Sequence, residues 1–418
     1  MKARIIVAVA ALAVSGLAAS TAHAQPTLLQ GELAGAPYEI IVPEAWNGTL
    51  VVVAHGYVDK ADHPGEVDDR DPLDEDLASP LVGLGYAVAG TAYSDNGWAV
   101  KESIRDVQAL RAFFNSAVGQ PDTALLVGFS LGSFVTATLA EQNAGLFDAY
   151  LPACGVLAGS TAAWDAGAVG LLAYAQVFGG LPAAWGTVAD GDDDVDFESE
   201  VAPVIFPQLL NFANFGKWEF IRLVAGARGP VVPLLPSAAS LYPVWALIDF
   251  FFFTEARAEL ERRAGGHFVE NVGPGYLWLT PGEQIYLNML GFDPTVALAA
   301  MGSARYSADR SARNYVDHYA TFTGKIKSPV LSIHTTWDTL VPVSHEQRYA
   351  ATVAAAGRSD LLRQGYSGGV GHCAFGAELF GAITLLEAWA KTGVAPSDAT
   401  LAAVGLDPSF VPPPWPQP

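Results

Sequence analysis

One serine of the sequence lies in a short pattern that could present it as a nucleophile. Residues 128–132 read GFSLG, which fits the pattern G-x-S-x-G. A strand-like apolar run, residues 123–127, precedes the pattern and a helix-like run follows it, so Ser130 is predicted to lie on a tight strand-to-helix turn. Such a turn would lift the serine hydroxyl clear of a sheet and direct a helix N-terminus at it. The alternative is an ordinary glycine-serine turn without chemistry.

A serine nucleophile needs a general base, and the base needs an orienting carboxylate. For a serine on this kind of turn, the acid and then the histidine are expected further along the chain. Asp338 follows the apolar run 329–335, and His372 lies in a glycine-flanked segment after the last predicted strand. These two residues are the predicted orienting acid and general base, with a loop or N-cap aspartate as the alternative for Asp338. Among the other histidines, His334 is predicted inside a strand and His345 at a cap-like helix start.

An oxyanion formed during acyl transfer would need preorganised N–H donors. One predicted donor is the backbone N–H of Leu131, which follows the serine. The other is the backbone N–H of Tyr57, in the sequence His55-Gly56-Tyr57 directly after the strand-like run 49–54. Glycine would let that backbone approach a substrate closely. An ordinary strand-ending turn is the alternative for this loop.

The segments HGY, GFSLGS, HTTWDTLVP and GHCAF occur in this order within residues 37–156 and 328–392. With them, a little under half of the chain resembles the α/β-hydrolase superfamily. The resemblance implies a mostly parallel sheet flanked by helices, with a lid or cap inserted after the sixth core strand and covering the active site. GHC is also similar to the tannase and feruloyl-esterase group, in which a cysteine beside the histidine is bonded to one beside the serine. Here Phe129 precedes Ser130, so the sequence departs from that group.

Cys154 and Cys373 are the two cysteines of the sequence. Their number excludes a disulfide-dense scaffold and a cysteine-rich zinc site. Cys154 closes the strand after the nucleophile helix and Cys373 adjoins His372, so both are expected at the carboxyl edge of the sheet. A disulfide that pins the histidine loop and a pair of buried, inert thiols both remain open.

The elements that must position these residues alternate between strand and helix patterns, which implies a parallel sheet with right-handed crossovers. Strands are predicted at residues 38–42, 49–54, 86–93, 123–127, 149–154, 329–335 and 361–366, and helices at 73–84, 100–117, 131–146, 344–356 and 377–391. The predicted α/β-hydrolase core therefore spans residues 25–158 and 328–395. Residues 159–327 break the alternation and are interpreted as a mainly helical cap. Residues 396–418 are predicted to form a proline-rich tail that is extended, surface-bound or disordered.

Composition favours a globular, exported protein. The sequence is 51% hydrophobic and 16% charged, which suits a large buried core. Lys2 and Arg4 precede the apolar run 5–19 and the small-residue site 22–24. This pattern predicts a signal peptide that is cleaved near Ala24. An N-terminal membrane anchor is the alternative. Cleavage would lower the net charge from −21 to −23. We expect a secreted or periplasmic protein without a stable membrane anchor, and so acidic a chain argues against nucleic acid as a partner.

Acidic side chains alternate along residues 190–196 as they do in a calcium loop. Val195 and Val201 stand where such a loop has glycine and glutamate, so a solvated acidic loop is the favoured interpretation. The predicted function is hydrolysis of an uncharged, hydrophobic small-molecule ester through an acyl-enzyme, with no cofactor and no metal. A serine peptidase or aminopeptidase of the same fold is the first alternative, and a non-catalytic binding protein is the second.

Overall fold

The computed structural model describes residues 26–59, 72–143, 145–227, 246–272, 279–338 and 340–415. The predicted signal peptide lies outside these residues. Eight strands form one sheet in the order β1-β2-β4-β3-β5-β6-β7-β8. The strands are β1 (Thr27–Leu33), β2 (Ala36–Val42), β3 (Thr49–Ala54), β4 (Ala87–Thr91), β5 (Thr123–Phe129), β6 (Ala149–Ala153), β7 (Val330–Trp337) and β8 (Leu362–Val370). β2 runs antiparallel to β1 and β4, and all other neighbours are parallel.

This strand order and these directions are those of the α/β-hydrolase fold, so the predicted fold class is confirmed. Helices cover both faces of the sheet and fill the connections between strands. They are α1 (Glu75–Gly83), α2 (Val100–Ala117), α3 (Leu131–Gln142), α4 (Ser160–Phe178), α5 (Ala202–Leu209), α6 (Phe215–Val224), α7 (246–253), α8 (Glu255–Ala264), α9 (Pro281–Met289), α10 (Thr295–Ser303), α11 (Arg310–Ala320), α12 (Ser344–Ala355), α13 (Ala377–Thr392) and α14 (Asp398–Ala403).

The central strands are apolar along their whole length because both faces of the sheet are buried. In β3, Leu50 and Val52 belong to the hydrophobic core on one face, whereas Val51 and Val53 belong to the core on the other face. Because β3, β5, β6 and β7 are parallel neighbours, their carboxyl ends meet at one edge of the sheet. That edge carries the loops that contain the predicted site residues.

Between β6 and β7, every regular element in the described residues is a helix. This is consistent with a cap inserted after the sixth strand. These helices have a hydrophobic core of their own, built around large side chains such as Trp185, Trp218 and Phe250. α4 connects this core with the sheet, because Trp164 packs into the core of the sheet and Val169 into that of the insertion. No helix within the described part of the chain is long and apolar enough to cross a membrane.

The segment after residue 395 contains a short helix, α14, which the sequence did not predict, and it packs against the core. Ser397 caps α14 through a side-chain bond to the N–H of Thr400, and Leu401 is fully buried. Trp415 is buried as well, and its backbone N–H donates to Oε1 of Gln347 at 3.0 Å. The capping serine and the apolar side chains hold this segment against the core despite its prolines.

Candidate active site

Ser130 occupies the turn between β5 and α3 in a strained backbone conformation. Its φ is 54° and its ψ is −117°, values that a residue with a side chain rarely adopts. A Cβ on Gly128 would overlap the carbonyl oxygen of Gly132, and one on Gly132 would overlap the carbonyl oxygen of Ala54. The small flanking residues are therefore required by the close approach of the helix start to the strands. Strain of this kind persists where the surrounding structure imposes it, which is common at functional sites.

His372 and Asp338 form a charge-assisted pair at the same edge of the sheet. His372 Nδ1 lies 2.7 Å from Asp338 Oδ2, and the aspartate side chain is fully buried. The other carboxylate oxygen, Oδ1, accepts the backbone N–H of Val341 at 2.9 Å. With Nδ1 donating to the carboxylate, Nε2 becomes the ring's acceptor, as a general base requires.

Ser130 and His372 line one cavity of about 790 Å³, together with Gly56 and Tyr57. The structure thus brings all the sequence-predicted side chains to one place, since Asp338 lies directly behind the histidine. No direct hydrogen bond joins Ser130 Oγ to His372 Nε2 in this structure. Catalytic hydrogen bonds are often long or misaligned without substrate and tighten in its complex.

The two predicted oxyanion donors flank the serine from different elements. Leu131 is the first residue of α3, so its N–H has no acceptor within the helix. Gly56 passes so close to the serine that a Cβ on it would lie 3.3 Å from Ser130 Cβ and 3.9 Å from Ser130 Oγ. The imidazole of His55 stacks on the ring of Tyr93 at 3.9 Å, which holds the start of this loop in place. The role of the Tyr57 and Leu131 N–H groups as donors stays a prediction.

Cys154 and Cys373 form a disulfide with a Cα–Cα distance of 5.3 Å, which decides between the two possibilities that the sequence left open. The bond ties the end of β6 to the loop that carries His372. It differs from the pairing in the tannase and feruloyl-esterase group, because Cys154 follows β6 and does not adjoin Ser130. Among the described residues, Cys154, His372 and Cys373 are the only cluster of potential metal ligands, and the disulfide occupies both sulfurs.

The acidic stretch at residues 190–196 forms hydrogen bonds with the protein's own helices. Glu261 accepts the backbone N–H of Gly191 at 2.9 Å, and the Arg262 guanidinium donates to the carbonyl oxygen of Asp193. Asp196 accepts the backbone N–H of Ser199. Within the described residues these carboxylates do not converge on a common point.

Several residues around the site were not assigned to it individually from the sequence. Phe251 and Phe252 of α7 line the cavity with Ser130. Asp249, on the same helix, is half-buried, and its Oδ1 atom is shielded from solvent. Burial first, and the nearby Asp338 carboxylate second, raise its pKa well above the usual range. The apolar run 250–253 is visible in the sequence, but which of its rings face the serine depends on how the insertion packs.

Two other histidines near the site, His334 and His345, are buried. His334 is completely buried in β7, as predicted. His345 lies in the first turn of α12, so the predicted helix start is correct, but the N-cap is Val343 and His345 is buried. Its Nδ1 accepts the backbone N–H of Ala158 at 3.0 Å, and burial lowers its pKa well below the usual value. The apolar residues 340–343 pack against the core and bring the first turn of α12 with them. The burial of His345 could not be predicted from the local sequence alone.

The walls of the large cavity are aromatic, aliphatic and acidic. Of the described residues that line it, none is lysine or arginine, and four are carboxylates: Asp59, Asp196, Glu198 and Glu255. Glu255 is held in place by the backbone N–H of Phe197, which donates to its Oε2 at 2.6 Å. The cavity therefore presents apolar surface and negative charge around the serine.

No protein-family model and no curated protein sequence matches the chain significantly. Among solved structures, feruloyl esterase B from Aspergillus oryzae is similar at 13% identity and a TM-score of 0.44, covering 87% of this chain and 80% of that one. An esterase from Pyrococcus furiosus is 12% identical with a TM-score of 0.39, over 88% of each chain. Proline iminopeptidase from Mycobacterium smegmatis is 14% identical with a TM-score of 0.37, over 87% of this chain and 97% of that one. The strand order and the turn at Ser130 define the class on their own: this is a protein with the α/β-hydrolase fold.

Proposed function

We propose that the chain is a serine hydrolase that cleaves carboxylic esters through an acyl-enzyme. One observation carries the proposal: the buried Asp338 carboxylate lies 2.7 Å from His372 Nδ1, and His372 shares a cavity with Ser130 on its strained turn. Nucleophile, base and orienting acid come from three separate loops at one edge of the sheet. A purely structural role would not require a strained serine beside an oriented, partly accessible imidazole.

In the acylation step, Ser130 Oγ attacks the ester carbonyl carbon while His372 Nε2 takes the hydroxyl proton. The buried Asp338 carboxylate stabilises the imidazolium that forms. Negative charge on the carbonyl oxygen is received by the N–H groups of Leu131 and Tyr57. When the tetrahedral intermediate collapses, the C–O bond to the alcohol breaks and His372 gives its proton to the leaving alkoxide.

Deacylation repeats the same steps with water as the nucleophile. His372 removes a proton from water, the resulting hydroxide attacks the acyl carbon, and the ester bond to Ser130 breaks. The serine oxygen regains its proton from His372, and the carboxylic acid leaves. Each step uses a side chain or a backbone group of this chain.

We also propose that the enzyme acts outside the cytoplasm, in the periplasm or the medium. The signal-peptide pattern of residues 1–24 supports export. The disulfide between Cys154 and Cys373 supports it too, because such bonds form and persist in oxidising compartments.

Labelling with a fluorophosphonate probe tests the nucleophile. Wild type should incorporate one probe per chain, with the adduct on the peptide that contains Ser130. Ser130→Ala should not be labelled. Ser116→Ala is the matched control, since this exposed serine on α2 bonds only to the carbonyl of Phe113. Folded wild type that stays unlabelled, or Ser130→Ala that labels like wild type, would contradict the proposal.

The carboxylates of the cavity favour one second candidate, an aminopeptidase of the same fold. Glu255, fixed by the Phe197 N–H, could hold a substrate's ammonium group near Ser130. Comparing p-nitrophenyl esters with aminoacyl p-nitroanilides separates the two functions. An esterase should show the higher kcat/KM on esters and little activity on anilides, whereas an aminopeptidase should cleave anilides that have a free amino group and lose activity when that group is acylated.

A further inference from the structure

We infer that a narrow aromatic pocket beside Ser130 is the acyl site of the enzyme and restricts it to short, uncharged acyl groups of about two to four carbons. The inference rests on the proposed function and names its substrate class. It assigns the larger cavity to the alcohol part of the ester.

Ser130 lies at the junction of two spaces of very different size. The wide cavity, with His372, measures about 790 Å³, and a narrow pocket that also has Ser130 in its lining measures about 70 Å³. An ester bound with its carbonyl carbon at Ser130 Oγ has two arms, the acyl chain and the alcohol. The two spaces can therefore receive one arm each.

The volume of the narrow pocket sets the length of the chain it can hold. A protein cavity of about 150 Å³ accommodates benzene, which has six carbons. A pocket of about 70 Å³ is roughly half as large, so it has room for about three carbon atoms beyond the carbonyl. Acetyl, propionyl and butyryl groups fit this space, and octanoyl or benzoyl groups exceed it.

The pocket is chemically suited to an apolar chain. Among its described lining residues none is acidic or basic apart from His345. Burial lowers the pKa of His345 well below its usual value, and its Nδ1 already accepts the backbone N–H of Ala158, so this imidazole is neutral at pH 7. Trp98 and Trp164 meet edge to face, with ring centroids 5.2 Å apart. A charged acyl group would lose its hydration there without gaining a partner.

The walls of the pocket include aromatic rings and a helix backbone in close contact. Phe252 and Phe253 of α7 contribute two of its sides, and Gly167 of α4 a third. A Cβ on Gly167 would lie 2.9 Å from the ring of Phe253, so helix and ring are already in close contact. The wide cavity contrasts with this, because its lining includes loop residues and exposed carboxylates.

Helix α7 offers a matched pair of side chains for separating the two spaces. Phe251 lines only the wide cavity, whereas Phe253 lines the narrow pocket and not the wide cavity. Both are phenylalanines on one helix, two positions apart. Truncating each in turn should therefore enlarge a different space by the same number of atoms.

The experiment measures kcat/KM for p-nitrophenyl acetate, butyrate, hexanoate and octanoate, with the concentration of active enzyme taken from fluorophosphonate labelling. For wild type we expect a maximum at acetate or butyrate and a fall of at least about tenfold by octanoate. Phe253→Ala should raise the octanoate-to-butyrate ratio about fivefold or more, and Phe251→Ala should leave this ratio within about twofold. Phe253→Leu replaces Phe253→Ala if the latter does not fold.

Several outcomes would overturn the assignment. A wild-type enzyme that labels fully but prefers octanoate places the acyl chain in the wide cavity. The same conclusion follows if Phe251→Ala changes the chain-length ratio and neither Phe253 variant does. Failure of the proposed function is distinct, because folded enzyme would then neither label at Ser130 nor hydrolyse any ester of the series.

Discussion

Replacing Asp338 with asparagine removes one charge and almost no volume from the candidate site. Asparagine can keep its carbonyl oxygen on the backbone N–H of Val341, which the Oδ1 atom of Asp338 now accepts at 2.9 Å. Its NH₂ group would then face His372 Nδ1. Two N–H groups cannot bond to each other, so the ring must shift its proton from Nδ1 to Nε2. In that tautomer Nε2 cannot accept the proton of Ser130.

The size of the effect follows from the lost tautomer and the lost charge. The aspartate is fully buried and lies 2.7 Å from the imidazole, so the hydrogen bond between them is short and its carboxylate acceptor is shielded from water. In serine hydrolases that use this arrangement, the same substitution lowers kcat about 10⁴-fold. That factor corresponds to about 5.4 kcal/mol of transition-state stabilisation, at 1.36 kcal/mol for each tenfold step.

The assay measures kcat on p-nitrophenyl butyrate and the rate of fluorophosphonate labelling for wild type and Asp338→Asn. Both should fall by about three to four orders of magnitude, while the urea midpoint stays close to that of wild type. Asp360→Asn, at an exposed position, is the control and should behave like wild type. A well-folded Asp338→Asn variant with kcat within tenfold of wild type would refute the role of this aspartate.

Three further predictions concern the framework of the site. Cys373→Ser should lower the free energy of unfolding by about 2–5 kcal/mol, because the disulfide closes a loop between residues 219 apart. It should also lower kcat, because the disulfide anchors the His372 loop. An unchanged urea midpoint would argue against this. Gly132→Ala should cost more than about 2 kcal/mol and abolish labelling, since its Cβ would overlap the carbonyl oxygen of Ala54; near-normal folding and labelling would contradict it. Burial depresses the pKa of His345 in the folded chain. Below the unfolded pKa of 6.5, the unfolded chain therefore binds a proton at this residue that the folded chain does not. Through this residue, the free energy of unfolding should fall by about 1.4 kcal/mol for each pH unit below 6.5. Urea unfolding of wild type and His345→Gln at pH 7 and pH 5 checks this, and equal losses in both proteins would contradict it.

The framework of the fold could be predicted because its signals are local. α2 has the bounds that its helical spacing indicated, and β3 was visible as a run of β-branched residues buried on both faces. β1 was missed, since this edge strand is mostly exposed and carries no apolar alternation. The GFSLG turn could be found because steric contact with neighbouring backbone fixes its residue types.

The surroundings of the site could not be predicted because they depend on contacts between distant segments. Phe251 and Phe253 look alike in the sequence, yet they line different spaces once α7 packs against α4 and the sheet. His345 begins a helix in the sequence, and only the packing of Ala158 and Trp415 against it shows that it is buried. The pairing of Cys154 with Cys373 likewise depends on β6 and β8 flanking β7 in the sheet.

Trapping the acyl-enzyme tests the central claim most directly. Wild type would be mixed with excess p-nitrophenyl butyrate, quenched in acid within milliseconds, digested and analysed by mass spectrometry, with His372→Ala as the comparison. The proposed mechanism predicts a burst of p-nitrophenol and a butyryl ester on the peptide that contains Ser130, both lost in the variant. A butyryl group on another residue, or a burst of p-nitrophenol from Ser130→Ala, would contradict it.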